Sequence, residues 1–151
     1  VTGFGIIEIN NNTVSCVDAG VIEPGKKGDL PEKLVQIYDG LSLKIEEYSP
    51  ECVCVEDAFY GKNVKTTLVL GHARGVSLLA GKKSGALIRE FSPREVKKIV
   101  VGNGNASKQQ VEFMVRSLLR LPDKGLKSDV YDALAVSLCG YNSMSSLVRK
   151  R

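Results

Sequence analysis

The chain has 151 residues, of which 43% are hydrophobic and 25% are charged, and its formal net charge is +4. This length suits one domain with a substantial buried core. No apolar run approaches the ~20 residues that a membrane-spanning helix requires, and no signal peptide is recognisable, so we expect a cytoplasmic protein. The modest positive charge is compatible with a polyanionic partner but does not establish one.

Four cysteines and one histidine limit the metal chemistry that the chain can support. Cys16, Cys52, Cys54 and Cys139 lie mostly inside apolar runs. A zinc site normally needs four nitrogen or sulfur ligands in paired spacings, and this pattern is lacking. We therefore expect reduced cysteines in the core, as in cytosolic proteins. The single histidine, His72, is expected at the surface or an interface rather than in a catalytic role.

The first part of the chain predicts a hairpin, a helix and a strand. Apolar runs on either side of an asparagine turn predict two strands, Thr2 to Ile9 and Val14 to Ile22. Asp29 is a predicted N-cap, and the apolar stripe of the helix that follows stops at Ser49 and Pro50. The next run, Cys52 to Glu56, predicts a strand.

The second part predicts four helices and one further strand. Apolar spacing predicts a helix from Asn63 to about Lys82, and a short buried strand from Ala86 to Phe91. Ser92 and Ser107 are predicted to cap two shorter helices, which a glycine-bearing loop separates. Ser128 begins the last helix, and residues 145–151 are expected to fray. The whole chain, 1–151, is predicted to form a single mixed α/β domain.

Three carboxylates in this order of elements suggest a metal site. Glu56 ends a strand, and Asp129 and Asp132 share one face of the last helix. Acids in a first turn also complement the helix dipole, so spacing alone leaves a purely structural role open. The apolar run after Asp132, however, would press this helix against the sheet and bring its acids within reach of Glu56. Oxygen ligands alone indicate Mg²⁺ or Mn²⁺, and a pair of such ions suits phosphodiester hydrolysis.

Five separated segments resemble the RuvC family of Holliday junction resolvases, and they occur in the family's order. They are TGFG at 2–5, VCVEDAFYGKN at 53–63, LGHARG at 70–75, VVGNGNASKQQV at 100–111 and SDVYDALAVSL at 128–138. The resemblance covers nearly the whole chain. It implies a ribonuclease H-like fold with a mixed central sheet flanked by helices. It also implies a homodimer that makes paired nicks in four-way DNA junctions with Mg²⁺ during recombination and repair, alongside a branch-migration helicase complex.

The resemblance also implies roles for the acids. Glu56, Asp129 and Asp132 match catalytic metal ligands of the family. The family's first strand ends in Asp-Pro-Gly just before the position of Val1, and its aspartate, a fourth ligand, has no counterpart in this sequence. We expect either an upstream strand that precedes Val1 or an impaired enzyme. The alternatives are a catalytically inert junction-binding module and another ribonuclease H-like nuclease. A mass measurement of the intact protein tests the first alternative, because it shows whether an upstream strand is present.

The predicted DNA-binding residues form two groups. Phe59 and Tyr60 lie with Lys62 in the loop after Glu56, where aromatics either anchor the loop in the core or meet bases at the crossover. The resemblance places a DNA-contacting phenylalanine at Phe59.

The second group is the densest basic cluster within the predicted domain, and it consists of Arg94, Lys97, Lys98 and Lys108. Such a cluster is either a solvated helix face or a phosphate-binding surface. The resemblance associates the positions of Lys97 and Lys108 with junction binding and cleavage.

Small residues on the second predicted helix suggest a close helix contact. Gly71 and Gly75 stand four apart, and the apolar stripe of this helix comprises Val64, Leu68, Gly71, Gly75 and Leu79. Such a face packs either on its own sheet or on a symmetric partner. A two-fold dimer fits a substrate with two equivalent strands, which predicts Gly71, Arg74 and Gly75 at the interface.

Overall fold

A computed structural model describes residues 1–57, 63–122 and 125–148 of the protein, and within them the elements follow the predicted order. The strands are β1 (Thr2–Asn10), β2 (Thr13–Ile22), β3 (Cys52–Glu56) and β4 (Leu87–Phe91). The helices are α1 (Leu30–Tyr48), α2 (Val64–Lys83), α3 (Pro93–Val101), α4 (Lys108–Leu119) and α5 (Ser128–Val148). Residues 145–148, expected to fray, belong to α5. None of the described helices is long and apolar enough to cross a bilayer.

Local sequence signals account for the boundaries of several elements. Asn11 and Asn12 adopt positive φ angles of 49° and 62°, which asparagine tolerates better than most residues, and they turn β1 back onto β2. Asp29, Ser92 and Ser107 each form a capping box at the start of a helix, as their spacing from a glutamate or glutamine three residues later requires.

The strands form two separate pairs within the described residues. β1 runs antiparallel to β2, with a register shift between Ile6 and Ile7, and β3 runs parallel to β4. A cavity of 690 Å³ lies between β1 and β3 and is lined by residues of both strands. The mixed sheet that the sequence predicts is therefore divided at its centre by this cavity.

Two burial predictions need correction. β4 was expected to be buried, yet Leu87 is 45% exposed and Phe91 alone is fully buried, because β4 is an edge strand in the described structure. On α4, helical spacing predicts one apolar stripe of Val111, Met114, Val115 and Leu118, but Leu118 is 46% exposed. Leu119 is buried in its place, since it continues the ridge of Val111 and Val115 at spacings of four residues.

Helix α5 joins the two strand pairs, because it packs against both β1 and β3. Glycine makes the contact with β1 close: a Cβ on Gly3 would collide with the carbonyl oxygen of Asp129, and one on Gly5 would lie 2.6 Å from Cδ2 of Leu134. The hydroxyl of Ser137 also donates a hydrogen bond of 2.8 Å to the carbonyl oxygen of Gly5. β1 thus approaches α5 backbone to backbone.

The cysteines agree with the sequence prediction. All four are free thiols, of which Cys139 is fully buried and the other three are half-buried. Burial raises the pKa of the Cys139 thiol to about 12, so this thiol stays protonated at neutral pH. Cys139 lies in the hydrophobic core, and Cys16 and Cys54 pack against that core.

Replacing Gly3 by alanine should destabilise the protein by about 2 kcal/mol, because the added methyl group meets backbone atoms of Asp129 that cannot rotate away. Urea unfolding measures this loss. Gly125→Ala is the matched control, since a Cβ at Gly125 meets nothing within 4 Å, and its change should stay within about 0.5 kcal/mol. Equal stabilities of the two variants would contradict the close approach of β1 and α5.

Candidate functional site

The three predicted acids line the same cavity. Glu56 reaches it from the end of β3, and Asp129 and Asp132 reach it from the first two turns of α5. The structure thereby brings together two segments that are far apart in sequence. No group of three acidic, histidine or cysteine side chains within the described residues is close enough to form a metal cage as it stands.

Burial and charge both act on Glu56. Burial raises the pKa of its carboxyl group above the ordinary value of 4.5, and the negative charge of Asp132 raises it further. The positive charges of Lys108 and Lys97 oppose this shift. Glu56 is therefore an acid in a partly desolvated, negatively charged setting, which a cation would relieve.

Lys108 supplies part of the compensating charge. Its ammonium group, at the start of α4, donates a hydrogen bond of 3.0 Å to Oδ2 of Asp132. This bond raises the pKa of Lys108 above the ordinary lysine value, so the group remains charged throughout the neutral range. The Lys108 side chain is 54% exposed, and it stays accessible to a ligand in solvent.

The predicted basic cluster divides between two places. Lys97 and Lys108 lie close enough to the acids to affect the pKa of Glu56. Arg94 and Lys98 are exposed on α3, and the side chain of Arg94 packs across Gly104 in the loop that follows. Of the four cluster residues, two accordingly border the acidic site.

An ion triad beside the site was not foreseen from the sequence. Arg74 of α2 lies 3.1 Å from Oδ1 of Asp57, the residue after Glu56, and it also pairs with Glu90 of β4. The three residues come from separate elements, so no spacing in the sequence signals the triad. The side chain of Arg74 is directed toward its own chain and is 22% exposed.

The outer face of α2 carries the remaining predicted residues. A Cβ on Gly71 or Gly75 would meet nothing within 4 Å, and the aliphatic members of the stripe are exposed: Val64 by 75%, Leu68 by 59% and Leu79 by 54%. The stripe therefore faces away from the sheet. His72 is exposed on the same helix, as predicted. Phe59, Tyr60 and Lys62 lie outside the described residues.

Comparison with known proteins decides the family. A family model described as crossover junction endodeoxyribonuclease RuvC matches residues 1–140. The chain belongs to the RuvC family. It is 44% identical to the RuvC protein of Desulforamulus reducens over 144 residues, covering 92% of this chain and 85% of that protein. It is 43% identical to that of Geobacter sulfurreducens, covering 99% and 92% of the two chains.

Solved structures of the RuvC family confirm the predicted ribonuclease H-like fold. The RuvC structure of Thermus thermophilus superposes with a TM-score of 0.84 at 26% identity, covering 95% of this chain and 89% of that one. RuvC of the same organism in complex with a Holliday junction substrate gives a TM-score of 0.85 at 26% identity, covering 95% and 88%. The family resemblance seen in the five segments is thus confirmed by both sequence and structure.

Glu56→Gln should stabilise the metal-free protein at neutral pH. Because the folded-state pKa of Glu56 lies above the unfolded value of about 4.5, the folded state binds this proton more tightly. Ionisation of Glu56 therefore costs stability as the pH rises from about 4.5 through the raised pKa, and glutamine removes that cost.

Urea midpoints measured with EDTA should be higher for Glu56→Gln than for wild type at pH 7, and this difference should shrink toward pH 4. Glu46→Gln, at an exposed position on α1, serves as the control. A midpoint for Glu56→Gln below that of wild type at pH 7 would show that burial and Asp132 do not strain this carboxylate.

Proposed function

We propose that this chain is a divalent-metal-dependent endonuclease that resolves four-way DNA junctions. The observation that carries the proposal is the convergence of Glu56, Asp129 and Asp132 on one cavity, with Lys97 and Lys108 near these acids. Membership of a family described as crossover junction endodeoxyribonucleases supports it. Paired nicks in opposed strands, in recombination and repair, are the corresponding biological reaction.

The residues present fit a hard divalent cation. Their donors are carboxylate oxygens, and the charge of Asp132 near the half-buried Glu56 makes a site that a cation would stabilise. Glu56, Asp129 and Asp132 would hold Mg²⁺, or Mn²⁺ in its place, with two ions in each site. Such ions, when bound, activate a water molecule and stabilise the leaving oxygen of the phosphodiester.

The basic residues would orient the DNA. Lys97 and Lys108 place ammonium groups beside the acids, where they attract the phosphate that is to be cut. Lys108 begins α4, so free backbone N–H groups of that helix add to the attraction. Arg94 and Lys98 extend the positive surface along α3. Phe59, with Tyr60 and Lys62, is proposed to meet the crossover on the ground of the family resemblance.

The cavity between β1 and β3 marks where a strand that carries a fourth carboxylate would lie. The facing edges of these strands have no strand partner among the described residues, and exposed edges of this kind accept an extended segment. A strand such as the family's first one would pair with both edges and bring its terminal aspartate beside Glu56.

The exposed face of α2 supports a homodimer. It combines two glycines that leave open space with three exposed aliphatic side chains, a composition that suits close helix pairing. A two-fold pair would present two active sites to the two equivalent strands of a junction. The partner helix would cover Gly71 and Gly75.

Glu56→Gln should reduce cleavage of a four-way junction in Mg²⁺ by at least about 100-fold, because loss of a ligand exceeds the 10–100-fold cost of losing a residue that merely supports one. Single-turnover cleavage of a labelled junction measures the rate, and a gel-shift assay in Ca²⁺ should show unchanged junction binding. Glu46→Gln should cleave like wild type. Retained cleavage by Glu56→Gln would sink the assignment, as would a wild-type preference for linear duplex in competition.

Gly71→Glu should convert a dimer into monomers without harming the fold. A Cβ at Gly71 meets nothing within 4 Å in its own chain, and a glutamate there would block a helix that approaches closely. Light scattering after size exclusion measures the mass, and circular dichroism checks the helices. Ser117→Glu, exposed on α4, is the control and should remain dimeric. A dimeric Gly71→Glu variant would exclude this face as the interface.

A further inference from the structure

We propose that Arg74 is a positioning residue that fixes the end of β3 and so holds Glu56 in place for metal binding. This inference rests on the proposed function of Glu56 as a metal ligand. It goes beyond the predicted role of Arg74 at a dimer interface, because its side-chain contacts lie within its own chain.

The triad connects three elements at the edge of the site. The Arg74 guanidinium lies 3.1 Å from Oδ1 of Asp57 and also pairs with Glu90. Glu90 belongs to β4 and stands opposite Val55 in the register of β3 and β4. The backbone N–H of Asp57 donates a hydrogen bond of 2.8 Å to the carbonyl oxygen of Phe91, which extends the same ladder. Asp57 is therefore held by both its backbone and its side chain.

Charge explains why a cation is needed at this position. Asp57 and Glu90 come from neighbouring strands and contact the same guanidinium, and like charges so placed repel one another. The Nη2 nitrogen of Arg74 contacts both carboxylates, so its positive charge offsets both. The three side chains are only 22–39% exposed, so solvent screens the triad less than it would a surface pair.

The position of Glu56 depends on its backbone. Glu56 is the last residue of β3, and it stands opposite Phe91 in the parallel register with β4. Anchoring the next residue, Asp57, fixes the end of this ladder from which the Glu56 side chain projects.

Mn²⁺ binding, followed by electron paramagnetic resonance of the free ion, tests this role in the intact protein. Arg74→Gln should weaken Mn²⁺ affinity about tenfold, the scale expected when a supporting partner of a ligand is lost. Arg74→Lys should lose less, because it keeps the charge. If Arg74 acts through Asp57, the double variant Arg74→Gln/Asp57→Asn should bind Mn²⁺ no more weakly than Arg74→Gln. Lys82→Gln, exposed on the same helix, should match wild type.

Two further measurements separate positioning from other roles. Urea unfolding and light scattering should show that Arg74→Lys is as stable and as oligomeric as wild type while its Mn²⁺ affinity falls. Unchanged Mn²⁺ affinity in both Arg74 variants would overturn the inference, and so would weakened binding accompanied by dissociation into monomers.

Junction cleavage by wild type keeps this test distinct from that of the proposed function. A wild-type protein that binds Mn²⁺ in an Arg74-dependent manner but does not cut junctions refutes the function and leaves the positioning role intact. Cleavage by wild type, with Mn²⁺ affinity insensitive to Arg74, refutes the positioning role alone.

Discussion

The close approach of α5 to the strands is the constraint on which the candidate site depends. Glycine permits it in three places: Gly3 and Gly5 on β1, and Gly140 on α5, where a Cβ would collide with the sulfur of Cys54 on β3. A helix kept at ordinary side-chain distance would carry Asp129 and Asp132 away from the end of β3. The geometry of the candidate site therefore begins with backbone packing, since Gly3 meets the main chain of Asp129.

This packing crowds negative charge, and the structure compensates for it from several sides. Lys108 contacts Asp132 directly, Lys97 acts on Glu56 through space, and Arg74 neutralises the acids beside Glu56. Burial, together with the charge of Asp132, still holds the pKa of Glu56 above its ordinary value. Residual strain of this kind costs stability in the metal-free protein and favours the binding of a cation, so the same carboxylate weakens the fold and serves the proposed chemistry.

Local signals in the sequence predicted much of the fold. Asp29, Ser92 and Ser107 are recognisable as helix N-caps from the sequence, because capping depends on neighbours within three residues. The spacing of the apolar residues on α2 did not determine which surface they face. An apolar helix face has the same sequence pattern whether it packs on its own sheet or on a partner. Arg74 was missed as a neighbour of the site because its ion pairs join separate elements, and only the folded chain brings these together. Its predicted place at a dimer interface stays a prediction.

Helix α2 links the two surfaces that the proposed reaction needs. Its C-terminal end is fixed, because Gly81 packs so closely on β3 and β4 that a Cβ there would lie 2.8 Å from Ile88 and 3.0 Å from Val53. In the middle of α2, Arg74 pairs with Asp57 and Glu90, and Gly71 and Gly75 face solvent. A partner that covers Gly71 and Gly75 would restrict the same turns that hold Arg74. Pairing of two subunits would thereby act on the main chain of α2, whereas the ion pairs of Arg74 with Asp57 and Glu90 lie within one chain.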